Sequence, residues 1–441
     1  MSLILEKNLK EHKTLKKIIK YLPFLFIAVM FMWHTTSYAQ VQRFPMPEFE
    51  TEYSFPTHQF MSPEAIIWSY IDVIVLIGAL LVAAWLVLKQ RSRQKLLWLS
   101  VFSLLYFGFF RNGCICAVGA VQNVALALFN SNYSIPITAL LFFIIPLVAA
   151  LLFGRIFCAG VCPLGAIQEL VGFKRVKVPR KIESTLAMIP FVYLGLAVLF
   201  AATESEFLIC RYDPFVGIFR VGAPTAMVIF GVLLLIVGIF INRPYCRYLC
   251  PYGVLQNLFS RFSFKHMTIS PAECRNCRLC ESACPYNAVL QADPEPEKEP
   301  ENISPKKSLL YYSMIPILGI AFAVILYNIA PSLAVVNNNV KLAKEIRMEK
   351  ELGVRALSKS AIAFYEAGKS EAELFELEQN IISRFKKGAP WVGAFFGISL
   401  GIGFVRRIMR SKRPYYEPDR GRCVSCAKCM KVCPVNKNIK K

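Results

Sequence analysis

A chain of 441 residues with 55% hydrophobic side chains, 34 Phe and a mean hydropathy of +0.45 is too apolar for an ordinary soluble domain and suits a polytopic membrane protein. Its formal net charge of +22 would suggest a nucleic-acid partner in a soluble protein. Here the basic residues flank apolar stretches and no nucleic-acid motif accompanies them, so no such partner is expected and the positive-inside rule explains the charge.

The chain opens with Lys7, Lys10, Lys13, Lys16, Lys17 and Lys20, then an apolar run over 21–33, then Ser37-Tyr38-Ala39-Gln40. Residues 1–39 are either a cleavable signal peptide or an N-terminal anchor helix. On both readings 40–65 is a periplasmic segment. Seven further apolar stretches, near 66–88, 96–110, 134–153, 185–202, 223–241, 309–330 and 390–408, are long enough or nearly so to cross roughly 30 Å of hydrocarbon. Only helices keep backbone polar groups satisfied there. Basic clusters at 89–95, 174–181, 243–265 and 406–413 mark one side as the cytoplasm, whereas the loops at 40–65, 111–133 and 204–222 carry few basic residues and fall outside.

Three stretches repeat one another: Cys116-A-V-G-A-V-Gln122, Cys162-P-L-G-A-I-Gln168 and Cys250-P-Y-G-V-L-Gln256. The last two share a longer form, C-x-x-x-C-P-x-G, which adds Cys158 and Cys246. The proline suits the first turn of a helix and the glycine allows close backbone approach. If the two copies meet about a pseudo-twofold, as repeats do in transporters, four thiols converge at the cytoplasmic edge. Cys158, Cys162, Cys246 and Cys250 then bind a third metal centre or cradle a cofactor; the plainer reading is reduced thiols packed as small hydrophobes, which gives no reason for a matched partner. Outside lie Cys114, Cys116 and Cys210. Cysteines two apart bond to each other poorly, so either one of the pair joins Cys210 in a disulfide or the three hold an outside redox centre that lacks a fourth thiol. Arg211 and Asp213 sit at the membrane edge, where charges are costly and often functional. With four His and no C-x-x-C-H, covalent haem is not expected.

The run Cys274-R-N-Cys277-R-L-Cys280-E-S-A-Cys284-Pro285 has the bacterial ferredoxin spacing, as does Cys423-V-S-Cys426-A-K-Cys429-M-K-V-Cys433-Pro434. In two-cluster ferredoxins the fourth cysteine of each run serves the other cube. The expected ligand sets are therefore Cys274, Cys277, Cys280 and Cys433 for one [4Fe–4S] cluster, and Cys423, Cys426, Cys429 and Cys284 for the other. Two spans and an outside loop separate the runs, yet the crossing count puts both in the cytoplasm. The fold class that follows is an all-α polytopic membrane protein of seven or eight transmembrane helices, with a small α+β ferredoxin-like domain assembled from two separated segments. Its expected parts are a transmembrane core at 66–242, ferredoxin half 1 at 243–308 with a linker at 292–304, a helix at 309–330, a periplasmic helical segment at 331–388, a helix at 389–408 and ferredoxin half 2 at 409–441. In the periplasmic segment Leu342, Ile346, Leu352, Leu357 and Phe364 form one stripe, and Ser370-Glu-Ala-Glu373 reads as a capping box opening a second helix.

Together, the paired Cys158-x-x-x-Cys162-Pro163 and Cys246-x-x-x-Cys250-Pro251 motifs followed by ferredoxin runs resemble the NosR/NapH family of membrane polyferredoxins, over roughly residues 95–290 and the last twenty. The resemblance implies electron transfer between the membrane or cytoplasm and periplasmic redox proteins; members serve nitrous oxide reduction, nitrate reduction and reductive dehalogenation. Two departures stand out. NosR-like members carry a large outside flavin domain with FMN on a threonine motif, for which 40–65 is too short and shows no motif. NapH-like members carry their two runs side by side, whereas here two spans intervene.

The expectation is thus a bacterial inner-membrane iron–sulfur protein that relays electrons between a cytoplasmic or quinone-pool donor and a periplasmic redox partner, alone or within a quinol-linked oxidoreductase. Cytoplasmic cubes alone cannot span about 30 Å of bilayer, so a quinone, a flavin or a further cluster must fill the gap. The alternative is an assembly or maturation factor for a periplasmic metalloenzyme. An ion pump gains no support, since the predicted spans show no evident chain of buried carboxylates.

Overall fold

The computed structural model describes residues 66–113, 116–172, 176, 178–220, 222, 224–269, 274, 277–291, 305–353, 358–368, 370–408 and 416–434. The expectations for 1–39, 40–65, Cys114 and the 292–304 linker lie outside them.

The described chain is mostly helical. Helix α1 (Ile66–Trp85) continues in wider turns over Leu86–Gln90 and stops where Arg91 turns left-handed, with φ 49°. Helix α2 (Arg93–Ser103) widens likewise over Leu104–Phe110. Then come α3 (Ala117–Phe129) and α4 (Ile137–Phe153), which Gly154 ends at φ 74°. A wide turn at Phe157–Val161 leads into α5 (Pro163–Val171). Next are α6 (Arg180–Leu186), α7 (Ile189–Ala202), α8 (Leu208–Tyr212), α9 (Pro214–Arg220), α10 (Thr225–Phe240), α11 (Pro244–Tyr248) and α12 (Tyr252–Arg261). The remainder is α13 (Leu279–Ala283), β1 (Val289–Leu290), α14 (Pro305–Ala334), α15 (Asn338–Leu352), α16 (Lys359–Glu366), α17 (Glu371–Ile408), β2 (Glu417–Pro418) and α18 (Lys428–Val432).

Four described helices are long and apolar enough to cross a membrane, at Ile67–Gln90, Ile182–Ala202, Leu309–Ala334 and Glu371–Arg406; a fifth is counted if the bent pair α9 and α10 is one span. The sequence expectation of seven further spans is therefore larger than the structure's count. The 134–153 stretch is a 17-residue helix, and 96–110 is a short helix finishing in wider turns. The first is shorter than a full crossing, and the second belongs to a continuous helical run that opens on the polar Arg93, Gln94 and Lys95.

The stretch at 390–408 is no separate helix. It completes the 38-residue α17, whose first turn carries Glu371 and Glu373 where the capping box was expected. Helices α14 and α17 pack along their length through Gly393, Gly397 and Gly401. A side chain at Gly393 or Gly397 would meet the backbone of Phe322 or Leu318. Small residues four apart admit this close approach. Of the expected apolar stripe in the polar segment, Ile346 and Phe364 are buried with Ala343, Ala361 and Leu374, whereas Leu352 is exposed.

This hairpin connects the two cysteine runs. β1 pairs antiparallel with β2, Val289 opposite Pro418 and Leu290 opposite Glu417. Asp419 N–H donates to Ala288 O at 2.7 Å. A run from the middle of the chain and one near its end thus form one small sheet.

Candidate metal centres

The two ferredoxin runs fold alike. In each, the residue after the second cysteine is left-handed, Arg278 at φ 59° and Ala427 at φ 56°, and it opens a five-residue helix carrying the third cysteine. Helices α13 and α18 pack together. The thiol of Cys429 lies within electrostatic range of Cys423, Cys426, Cys284 and Cys280. Cys280 interacts with Cys274 and Cys277. Cys433 caps α18 at its C-terminal end. Cys284, from the first run, therefore sits with three thiols of the second. Burial pushes the Cys280 thiol up to about 11 and the Cys423 thiol up to about 12, with neighbouring thiols adding to both.

The C-x-x-x-C-P repeats meet in the main helical part. Cys158 lies in the wide turn before α5, and Cys162 caps α5, with Pro163 in the first turn. Cys246 lies in α11, and Pro251 directly precedes α12. Cys162 interacts electrostatically with Cys246, Cys158 and Cys250, so the four thiols are neighbours. Each repeat glutamine is fully buried and ties its helix to another element. Gln168 accepts from Tyr245 N–H at 3.0 Å and donates to Cys246 Sγ at 3.4 Å. Gln256 donates to Pro146 O at 2.9 Å.

Two arginines hold this core together. Arg155 and Arg243 each stand three residues before the first cysteine of a motif, and each lies against the other motif's glycine. Arg243 donates to Cys158 O and, at 3.3 Å, to Ala159 O, and it borders Gly165. Arg155 borders Gly253 and donates to Gly421 O at 3.2 Å. A Cβ at Gly165 would crowd the Arg243 guanidinium at 3.1 Å, and one at Gly253 would be in ordinary contact with that of Arg155. The sequence signal is an R-x-x-C-x-x-x-C-P-x-G register common to both copies, which the shorter motif overlooks.

The membrane thiols and the second ferredoxin run share a seam. Cys158, Cys284 and Cys423 pack on a cluster of Tyr286, Ala288, Val424 and Cys426. Beside it, buried Glu169 pairs with Arg93, with Arg243 at 2.9 Å and with Lys428 at 2.5 Å. Arg93 also reaches Cys426 O at 3.4 Å. Asn242 joins Glu169 to the Tyr286 hydroxyl, at 3.2 and 2.9 Å. Arg155 has Nη2 3.8 Å from Cys158 Sγ, while its buried Nε has no hydrogen-bond partner. Three buried cations thus share one carboxylate, with the buried Arg155 near by on Gly421 O and Cys158 Sγ. Uncompensated buried charge is expensive, and a cube held by four thiolates is anionic. The donor set and the surplus positive charge fit such a cluster. Among the described residues no three His, Cys, Asp or Glu side chains form a single-ion site. A cube is wider, because each thiolate takes its own iron.

On the other side of the core, Gln122 accepts from Ile209 N–H at 2.8 Å and Cys210 N–H at 3.3 Å, echoing Gln168 with Tyr245. Cys116 interacts with Asp213 and Cys210, and Cys210 Sγ lies against Gly119. Asp213 is buried and receives the Tyr245 hydroxyl at 2.5 Å, next to Cys246. The stretch Cys210-Arg-Tyr-Asp213-Pro214-Phe echoes Cys246-Arg-Tyr-Leu-Cys250-Pro251-Tyr, with Asp213 in the place of Cys250. Arg211 is largely exposed and pairs with Glu206, so it behaves as an ordinary surface charge. A small apolar cavity is lined by both Cys116 and Cys162, together with Phe107, Phe142 and Phe157. One buried carboxylate does lie in a predicted span: Asp72 meets Arg111 and the Tyr106 hydroxyl, each at 2.9 Å. Its charge is matched by Arg111.

A 4Fe-4S binding domain model matches residues 135–181 and 223–269, and a second 4Fe-4S binding domain model matches 267–290. Protein NirI of Paracoccus denitrificans is 29% identical over 242 residues, 49% of this chain and 35% of that protein. Regulatory protein NosR of Pseudomonas aeruginosa is 28% identical over 238 residues, covering 49% of this chain and 33% of its own. An uncharacterized protein of Methanocaldococcus jannaschii is 31% identical over 156 residues, 33% of this chain and 58% of its own. The chain thus matches a third to three fifths of these relatives' length. No solved structure matches it.

Proposed function

We propose that this chain, a relative of the NosR/NapH-type ferredoxin-like membrane proteins, carries electrons through the bacterial inner membrane between cytoplasmic [4Fe–4S] clusters and a periplasmic redox partner. One cluster is held by Cys274, Cys277, Cys280 and Cys433, the other by Cys423, Cys426, Cys429 and Cys284. The single observation that carries the reading is that Cys158 packs on the same small cluster, containing Cys426, as Cys284 and Cys423 do. It makes the second cluster the neighbour of the membrane thiols Cys158, Cys162, Cys246 and Cys250, which hold a third centre. The cavity shared by Cys162 and Cys116 supports a continuation toward the outside residues Cys116, Cys210 and Asp213. The clusters supply one-electron chemistry when bound. The chain's residues fix their spacing, exclude water and set their electrostatic surroundings.

The test is iron content with EPR spectroscopy on anaerobically purified protein. At least eight cluster irons per chain are expected, since two cubes take four each. The Cys158→Ala/Cys250→Ala double variant should lose one distinct signal while keeping the two cubes. Iron near four per chain, or zinc in its place, would refute the two-cluster assignment.

A further inference from the structure

We infer that Arg93, Arg155, Arg243 and Lys428, opposed by the single carboxylate Glu169, form a buried charge-compensating site that sets the reduction potential of the cluster on Cys423, Cys426, Cys429 and Cys284. This rests on the cluster assignment proposed above. The five side chains come from four separate parts of the sequence, yet each is at most 9% exposed. Glu169 contacts three of the cations, and Arg155 completes the set through Gly421 O and Cys158 Sγ. Two cations also belong to or grip the cluster-bearing loop directly, Arg93 through Cys426 O and Lys428 by its place between Cys426 and Cys429, while Arg243 holds the adjoining turn through Cys158 O. Removing so many charges from water is costly unless a counter-charge is present. Arg155 Nε is buried without a hydrogen-bond partner, and the same guanidinium lies 3.8 Å from Cys158 Sγ, which packs on the cluster of residues that Cys284 and Cys423 also pack on.

The physical consequence has a definite sign. Reduction adds one negative charge to an already anionic cluster, and burial opposes it. Surrounding cations favour the reduced state and raise the potential, while a carboxylate lowers it. In a site of low effective dielectric these terms are weakly screened. The cation set therefore offsets the penalty of burying this cluster at the seam and keeps it reducible by the more exposed one. Glu169 trims the surplus.

The experiment is an EPR-monitored redox titration of the full-length, cluster-loaded protein. Glu169→Gln should move the midpoint of the second cluster to more positive potential. Arg155→Gln and Lys428→Gln should move it to more negative potential. Arg155→Lys, which keeps the charge, should leave it near wild type. Midpoints that do not move, or that move in the same direction for Glu169→Gln and Arg155→Gln, overturn the inference. Should Glu169→Gln fail to retain clusters, Lys428→Gln and Arg155→Gln decide the question by their sign. Wild type short of eight irons would remove the cluster assignment and this inference with it; a full iron complement with unmoved potentials removes this inference alone.

Discussion

The two cysteine runs share a ligand pattern, a left-handed residue at the same place and a short helix, but not their surroundings. In the 274–284 run Cys277 is exposed. In the 423–433 run Cys426 is buried, and Arg93 of the membrane part donates to its carbonyl. The same four thiols and proline thus serve two settings, one with its second cysteine exposed and one packed against the elements that carry Arg93 and Cys158. Spacing decides which cofactor a run takes. What packs on the run decides where its electrons can go.

The comparison breaks most completely if the runs do not exchange their fourth ligands. Cys284→Ala lies in the first run yet should remove the second cluster, lowering the cluster iron by about four per chain and leaving the EPR signal of the exposed cluster. Loss of the exposed cluster instead would mean that each run is self-contained.

A next, somewhat smaller effect is expected where the runs are joined. Gly397→Leu would push α17 off α14 against the Leu318 backbone. Overpacking of this kind typically costs about 1–3 kcal/mol. Lower melting temperature and partial loss of both clusters should follow, whereas Gly403→Leu, in open space, should behave as wild type.

A pH effect should separate the loaded from the empty protein. Burial raises Cys423 from 9.0 to about 12 and Cys280 to about 11. A raised thiol pKa favours the protonated, folded form, so this contribution to apoprotein stability is complete below about pH 9 and disappears as the pH climbs through 11–12. Chemical denaturation of the apoprotein should show falling stability across that window. The loaded protein should not, because ligation fixes the thiolates. The same protons compete with iron, so reconstitution should be less complete at lower pH.

The smallest effect sharpens the difference in exposure. An iron chelator should strip the Cys274–Cys277–Cys280 cluster several-fold faster than the other, followed by the decay of the two EPR signals. Equal rates would mean that the seam gives no protection.

Much of this architecture is legible in the amino-acid order. Local spacing marks both ferredoxin runs and the paired C-x-x-x-C-P motifs, because a cluster or a helix start demands particular residues at fixed offsets. The repeat glutamines are legible as a pattern, and their burial agrees with it. Less legible was how the parts meet. Glu169 lies in an unremarkable helical stretch, and only the fold brings Arg93, Arg243 and Lys428 to it. Arg155 and Arg243 were readable in retrospect from their matched offset. Their crossing to the opposite motif is a property of packing. Span count is the least legible, because α4 is apolar but short, because the α2 run opens on Arg93, Gln94 and Lys95, and because polar residues 371–389 continue into the span at 390–408 without a break.

The central claim is that electrons pass from the ferredoxin clusters through the membrane thiols. The most direct measurement uses purified protein in sealed vesicles with ferricyanide trapped inside and titanium(III) citrate added outside. Wild type should reduce the trapped ferricyanide well above the rate of empty vesicles, and Cys158→Ala/Cys250→Ala should fall to that background with its two cubes intact. A double variant as fast as wild type, or wild type no faster than empty vesicles, would contradict the account.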